Sequence, residues 1–185
     1  MPISPISKSY GTSDAKIAKL TADPAGGSPT YGSLVDVPGI KSVTISGSVN
    51  RTELRGDHQL LDAESVLTDI TVTFEHGKFS LDVLEVFFDT TVVDAGTTPN
   101  MTATWALEGA DKPNYFGFAA KVAAADTVGG DAHLTLFKCK LDGFPDIGTA
   151  EEDYKTFSVS GVVVPRLADN KWLRVALNET ASALS

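Results

Sequence analysis

The chain has 185 residues, of which 42% are hydrophobic and 21% charged, a balance typical of a folded globular domain rather than a disordered one. The formal net charge is −9, and this acidity argues against a sequence-independent grip on DNA, which needs lysine and arginine on the phosphates. The single cysteine, Cys139, allows no intrachain disulfide and no thiolate zinc site. Its alternating neighbours predict a small apolar residue of a strand.

The N-terminal segment, residues 1–14, contains two prolines and several serines and predicts an extended arm. It has no apolar core of signal-peptide length, and no run of the chain approaches a membrane span, so we expect synthesis in the cytoplasm and no membrane insertion. Residues 15–165 then predict one domain. Its first segment, residues 15–22, fits either a strand or a short helix, and residues 23–39 predict a loop from their proline, glycine and serine content.

Two alternating segments, residues 40–49 and 67–75, predict half-buried antiparallel strands. Val43 and Ile45 share one face of the first segment, and Val72 and Phe74 share one face of the second. The opposite faces are rich in hydroxyls, include two acids and carry no basic residue. Their members are Ser42, Thr44, Ser46, Ser48, Asp69, Thr71, Thr73 and Glu75.

The connection between these strands, residues 50–65, is too long for a tight hairpin and predicts a long inter-strand loop. It combines both signs of charge with leucines, an unusual set to leave in water. One interpretation is a folded-back surface loop. The sharper one is a docking element for another chain. The candidate inter-subunit residues are Arg51, Glu53, Leu54, Arg55, Asp57, Leu60, Leu61, Asp62 and Glu64.

One short helix is predicted next, with Ser80 as its N-cap and Leu81, Leu84 and Phe88 as its apolar stripe. Further strands are predicted at residues 101–107, 115–122, 133–141 and 154–164. Residues 166–185 predict a C-terminal extension in which residues 172–177 form another strand. Because no helices alternate with the strands, the predicted fold class is mainly β: an antiparallel β-sandwich or barrel flanked by one short α-helix, with extended N- and C-terminal arms.

Motifs for catalysis are absent from the sequence. It contains no phosphate-binding loop, no dinucleotide fingerprint, no nucleophile elbow and no HExxH helix. The three histidines share no metal-ligand spacing, and the adjacent acids at residues 151–153 are typical of a solvated cluster. We therefore expect no enzyme activity, no cofactor and no bound metal.

The order of these features resembles that of the major tail proteins, or tail tube proteins, of long-tailed bacteriophages. The resemblance spans residues 15–165. The segment that carries most of it is VPGIKSVTISGSVNRTELRGDHQLLDAESVLTDITVTFEHGKFSLDVLEVFF, and the later segments are KPNYFGFAAKVAAAD, DAHLTLFKCKLDGFP and YKTFSVSGVVVP.

This resemblance implies a structural virion protein of the phage tail, assembled in the host cytoplasm. Six copies would form a ring, and rings would stack into a tube that conducts DNA during ejection. The implied partners are further copies of the chain, a tape-measure protein in the lumen, tail terminator and distal tail proteins at the ends, and DNA in transit without specific binding. The long loop would reach a neighbouring subunit or ring. The strand faces rich in hydroxyls and acids then become candidates for the wall of the lumen. The alternatives are another virion or injection-machine component, such as a tail-tip, terminator or decoration protein, and an enzyme or carbohydrate-binding β-sandwich.

Overall fold

The structure, a computed structural model, describes residues 9–124, 130–148 and 155–184. Over these residues the chain forms β-strands and one short α-helix. The strands are β1 (Ser9–Ala22), β2 (Thr30–Tyr31), β3 (Val35–Asp36), β4 (Ile40–Gly56), β5 (Gln59–His76), β6 (Val93–Ala95), β7 (Thr102–Thr104), β8 (Tyr115–Ala124), β9 (Asp131–Leu141), β10 (Phe157–Val163) and β11 (Leu173–Asn178). The helix, α1, is Leu81–Phe87.

The larger sheet is antiparallel and follows the order β2-β1-β8-β9-β10-β5-β4, with β3 paired to β1 and β11 paired to β9. Strands β6 and β7 form a separate small hairpin. Because β10 and β11 pair with different stretches of β9, the C-terminal strand completes the sheet that the preceding strands build.

The larger sheet folds back on itself into two layers. Phe74 on β5 and Phe118 on β8 stack with ring centroids 4.8 Å apart. The sheet order separates their strands by β9 and β10, which would place them about 14 Å apart in a flat sheet. The strands β1, β8 and β9 therefore form one layer that packs on a second layer of β10, β5 and β4. Each layer has a core face and an outer face.

The helix packs against the core with its apolar stripe. Val83, Leu84 and Phe87 are buried, and Phe87 meets Phe116 edge to face at 4.9 Å. Ser80 occupies the N-cap position, but its side chain makes no capping hydrogen bond. A helix of this length is unstable alone, so its packing on the sheet holds it in place. No helix in the described part of the chain is long and apolar enough to cross a bilayer.

The predicted fold class is confirmed: the chain is mainly antiparallel β, with one short helix against the sheet. The segment 15–22 is a strand rather than a helix. The predicted strand at 101–107 is limited to Thr102–Thr104, whereas Cys139 is buried in β9 as predicted. Residues 1–8 of the predicted arm, the acids at 151–153 and Tyr154 lie outside the described residues.

The two predicted terminal segments are more integrated than expected. Strand β1 begins at Ser9, so residues 9–14 pair with β8 instead of forming a free arm. The C-terminal extension contributes β11 to the sheet. It is also held by the buried Asp131, whose carboxylate accepts hydrogen bonds from the Asn178 side chain at 2.7 Å and the Ser182 N–H at 2.8 Å. Lys121 lies 3.0 Å from the same carboxylate.

The environment of Asp131 fixes its charge. Burial alone would raise the pKa of this carboxyl. The hydrogen bonds from Asn178 and Ser182, together with Lys121, outweigh that effect and hold the pKa far below its ordinary value. The ionised form of Asp131 therefore fastens the C-terminal segment to the sheet.

Candidate assembly interface

A two-stranded ribbon projects from the second layer of the sandwich. It consists of residues 49–68, which we call the hairpin arm, and its register pairs run from Val49 with Leu67 to Gly56 with Gln59. The turn residues Asp57 and His58 have φ of 48° and 64°, the left-handed values of a two-residue type I′ turn. At about 3.3 Å per residue, the eight register pairs of the arm extend about 26 Å beyond the body.

The prediction of an inter-strand loop at residues 50–65 is therefore wrong, because this segment is a continuous β-ribbon. Two irregularities in β5 conceal the strand pattern: the register shifts between Ser48 and Val49 and again between Leu54 and Arg55. Each shift inserts one extra residue into β5 and changes which of its side chains share a face. All nine candidate inter-subunit residues lie on the arm, with Asp57 in its turn.

The two faces of the arm carry different charges. Alternation along β4 puts Arg51, Glu53 and Arg55 on one face, where Glu53 lies 3.1 Å from Arg51 and 2.6 Å from Arg55. The other face, which we call the acidic arm face, carries Leu54 opposite Asp62, with Glu64 opposite Thr52 two pairs further along. The arm is thus weakly cationic on one side and anionic on the other.

The arm exposes apolar side chains on both faces. Leu54 and Leu61 are 62% and 63% exposed, and Val49 and Val66 are also exposed. An isolated two-stranded ribbon is marginally stable in water, and no third strand or helix of the described residues packs against the arm. Burying one such leucine is worth about 1.5–3 kcal/mol. Packing against a second surface would therefore stabilise the arm by several kcal/mol.

Strand β4 also forms an open edge of the sheet. Of the strands in the described ranges, only β5 pairs with it, so the backbone donors and acceptors on its other side have no strand partner. Long open edges promote pairing between chains unless they are covered. This edge runs beside both the arm and the sandwich body.

The eight candidate lumen-facing residues come together as one surface, which we call the polar wall. They form four register pairs across β4 and β5: Ser42 with Glu75, Thr44 with Thr73, Ser46 with Thr71, and Ser48 with Asp69. The pairs lie on the outer face of the second layer, opposite the buried Val72 and Phe74.

Hydrogen bonds order part of the polar wall. The hydroxyls of Ser46 and Thr71 lie 2.8 Å apart, and the Ser48 N–H donates to the Asp69 carboxylate at 3.1 Å. Ser158 and Ser160 of β10 continue the wall as partners of Glu75 and Thr73.

From the polar wall across β10, the next strand of the sheet is β9, and its Lys140 carries a cation at the border of the wall. Lys140 pairs with Val162, which in turn pairs with Thr71. Its ammonium group lies 5.0 Å from the centroid of the Tyr115 ring. The wall itself is therefore hydroxyl-rich and anionic, and its cationic border is engaged with an aromatic ring.

A cavity on the outer face of the first layer was not predicted from the sequence. It has a volume of about 370 Å³ and a floor of small side chains, including Ala18, Gly117 and Ala119. Tyr31 walls one side and donates a hydrogen bond to the Phe137 carbonyl at 2.8 Å. Arg166 covers the Phe137 ring at 3.8 Å from its centroid. We call this feature the outer pocket.

The turn that carries Arg166 is tied to the body by Asp23. The Asp23 carboxylate accepts hydrogen bonds from Lys138 at 2.8 Å and from the N–H groups of Leu167 at 2.9 Å and Ala168 at 3.2 Å. Burial opposes the charge of Asp23, but these donors outweigh it and lower its pKa. The contacts join residues more than 100 positions apart, which explains why no local sequence pattern reveals them.

The sequence matches no protein-family model and no curated relative. Within residues 9–124, 130–148 and 155–184, no group of three histidine, cysteine, aspartate or glutamate side chains is arranged to hold a metal ion. The arm, the open edge, the polar wall and the outer pocket are thus the features from which a function can be argued.

Proposed function

We propose that the protein is a structural, self-assembling component of a phage tail tube, in which rings of about six copies stack around a lumen. The observation that carries this proposal is the hairpin arm. Its leucines and valines are solvated in the single chain, and a ribbon of two strands does not hold itself rigid in water. A neighbouring copy supplies the missing surface.

The open edge of β4 supports closure into a ring. Edge strands that pair around a closed ring leave no free edge, which removes the tendency to aggregate without limit. The polar wall then faces the lumen. Its hydroxyls and its carboxylates of Asp69 and Glu75 offer no cation to phosphate, so DNA passes without being retained. The proposed partners are further copies, a tape-measure protein, the proteins that end the tube, and DNA in transit.

The decisive experiment compares the full chain with a variant whose arm is removed. Ser48 and Asp69 are register partners, so residues 49–68 can be replaced by Asn-Gly, which favours the type I′ turn needed to close the strands. We expect negative-stain micrographs of the full chain to show rings or tubes with a central hole. The shortened variant should remain a monomer in light scattering.

Thermal unfolding provides the control for this comparison. The arm contributes no buried side chain to the core, so the shortened variant should melt within a few degrees of the full chain. A full chain that stays monomeric over a wide range of concentration would refute the proposed function. Normal tubes from a folded, armless variant would refute the role of the arm.

A further inference from the structure

The outer pocket has the shape of a receptor for an apolar side chain. Its floor consists of small residues on neighbouring strands, with Ala18 opposite Gly117 and Ala119 opposite Thr135. A Cβ added at Gly117 would lie 2.9 Å from the Tyr31 ring, so this wall closes tightly over the floor. Leu34 adds an exposed apolar group at the rim. A cavity of about 370 Å³ that is open to solvent and mainly apolar is suited to one or two inserted side chains.

Two cations flank this floor. One row of register partners crosses β1, β8, β9 and β11, and its members are Lys16, Ala119, Thr135 and Arg174. Three strand spacings put the two ends of the row about 14 Å apart. Asp36 is the register partner of Lys16 on β3, but no carboxylate of the described residues lies within 4.0 Å of the Lys16 or Arg174 side-chain nitrogens.

The third cation of the pocket is already neutralised. Arg166 makes two hydrogen bonds to Asp169, at 3.0 and 2.6 Å. Lys16 donates a hydrogen bond to the Leu184 carbonyl at 3.5 Å, but this acceptor is neutral, so Lys16 and Arg174 both keep a positive charge that can meet an external anion. In a chain with a net charge of −9, such a pair beside an apolar cavity is a distinctive feature.

The acidic arm face carries the complementary pattern. Leu54 lies beside two carboxylates of the neighbouring strand, with Asp62 directly across the ribbon and Glu64 diagonally across, two register pairs further along on the same face. All three side chains are exposed, so they do not contact the outer pocket of their own chain. We propose that the acidic arm face of one copy docks in the outer pocket of another, with Leu54 in the cavity and Asp62 and Glu64 against Lys16 and Arg174.

This contact allows further copies to be added to an assembly one after another. The arm projects from the second layer and the pocket lies on the outer face of the first, so the two surfaces of one contact differ. A contact between unlike surfaces leaves a free arm at one end and a free pocket at the other, and it propagates rather than closing as a two-fold dimer. The inference rests on the proposed function, because it names the receptor through which copies join.

Charge reversal tests the docking directly. The arm variant carries Asp62→Lys and Glu64→Lys, and the pocket variant carries Lys16→Glu and Arg174→Glu. Each variant alone opposes like charges at every contact, so we expect its pelletable assembly to fall at least tenfold below that of the unmodified chain. An equimolar mixture should assemble again, because each arm then finds a complementary pocket on the other variant.

A matched control changes the same net charge elsewhere. Asp94→Lys with Glu108→Lys alters two exposed acids near the β6–β7 hairpin, and this variant should assemble normally. If the unmodified chain does not assemble, the proposed function fails. If it assembles but neither reversal inhibits it, or the mixture of two folded variants stays monomeric, the docking inference fails while the proposed function stands.

Disulfide trapping gives an independent reading of the same contact. Cys139 is buried and does not compete for an introduced cysteine. Chains with Leu54→Cys mixed with chains carrying Leu34→Cys should form a heterodimer under mild oxidation within the assembly. Chains with Leu54→Cys mixed with Met101→Cys serve as the control, since Met101 is exposed but lies away from the pocket. Equal yields from the two mixtures would contradict the docking.

Discussion

Removing the Asp23 carboxylate should destabilise the subunit and disorder one wall of the outer pocket. In the Asp23→Ala variant the ammonium group of Lys138, whose side chain is 10% exposed, loses its only carboxylate partner within 4.0 Å among the described residues. Breaking a buried ion pair in this way costs about 3–5 kcal/mol. The Tyr115 ring, 4.8 Å from the same ammonium group, offsets about 1 kcal/mol of that. We expect a net loss of about 3 kcal/mol, or a fall in melting temperature of about 10 °C for a chain of this size.

Calorimetry or a urea titration followed by fluorescence measures this loss. The matched control is Asp169→Ala, which removes a partly exposed ion pair with Arg166 and should cost much less stability than Asp23→Ala. The second variant, Asp23→Ala with Lys138→Met, removes both charges and should recover the part of the stability that is lost to the unpaired charge, whereas the Leu167 and Ala168 N–H groups still lack their acceptor. A loss below 1 kcal/mol in Asp23→Ala would refute the buried ion pair as the anchor of this turn.

Three further outcomes follow from the structure. Folding lowers the pKa of Asp131, so its ionised carboxylate stabilises the folded state above about pH 4, the ordinary pKa range of an aspartate. This stabilisation is lost as the pH falls. The Asp131→Asn variant should therefore lose less stability than the unmodified chain when the pH is lowered, as a pH–stability curve would measure. Phe74→Ala removes a fully buried ring and should lower the free energy of unfolding by about 3–5 kcal/mol in urea titrations, whereas an equal melting curve would contradict its central position. Asp69→Lys with Glu75→Lys adds cations to the polar wall, so tubes should still form while DNA ejection from virions slows; unchanged infectivity would count against the lumen assignment.

The sequence predicts elements well where one face is buried. Apolar residues at every second position, such as Val43 with Ile45 and Val72 with Phe74, identify the body halves of β4 and β5, because the core selects apolar side chains on one face of each strand. The same reasoning places Cys139 and the stripe of α1. The alternation also predicts the polar face of each strand, and the register of β4 with β5 brings the eight polar-wall residues onto one surface.

The sequence does not predict the ribbon of the arm, because the arm does not pack against the core. Both of its faces are solvated in the single chain, so apolar and charged residues occur on each and the alternation disappears. The turn, Asp57 and His58, lacks the glycine that usually marks a two-residue hairpin. The two shifts in register also interrupt the alternation along β5. Its leucines predict a contact surface for another chain, which stays a prediction, whereas the predicted loop is a β-ribbon.

The outer pocket escaped prediction for a different reason. Its parts come from strands that are distant in sequence, and Tyr31 and Phe137 meet across 106 positions. Small residues such as Ala119 and Gly117 indicate nothing about a cavity until their neighbours are known. Only the folded sheet brings Lys16 and Arg174 to the two ends of one row.

The continuity of β4 and β5 from the arm into the sandwich has a mechanical consequence. A pull on the arm along its strands is not absorbed by a flexible hinge, because the same two strands end in the core beside Phe74. The load passes to the ladder between β5 and β10, from Ile70 with Val163 to His76 with Phe157, where the backbone hydrogen bonds resist together in shear. Bending or stretching an assembly would therefore be felt inside each subunit, and tensile strength would depend on β10 as much as on the contact surface.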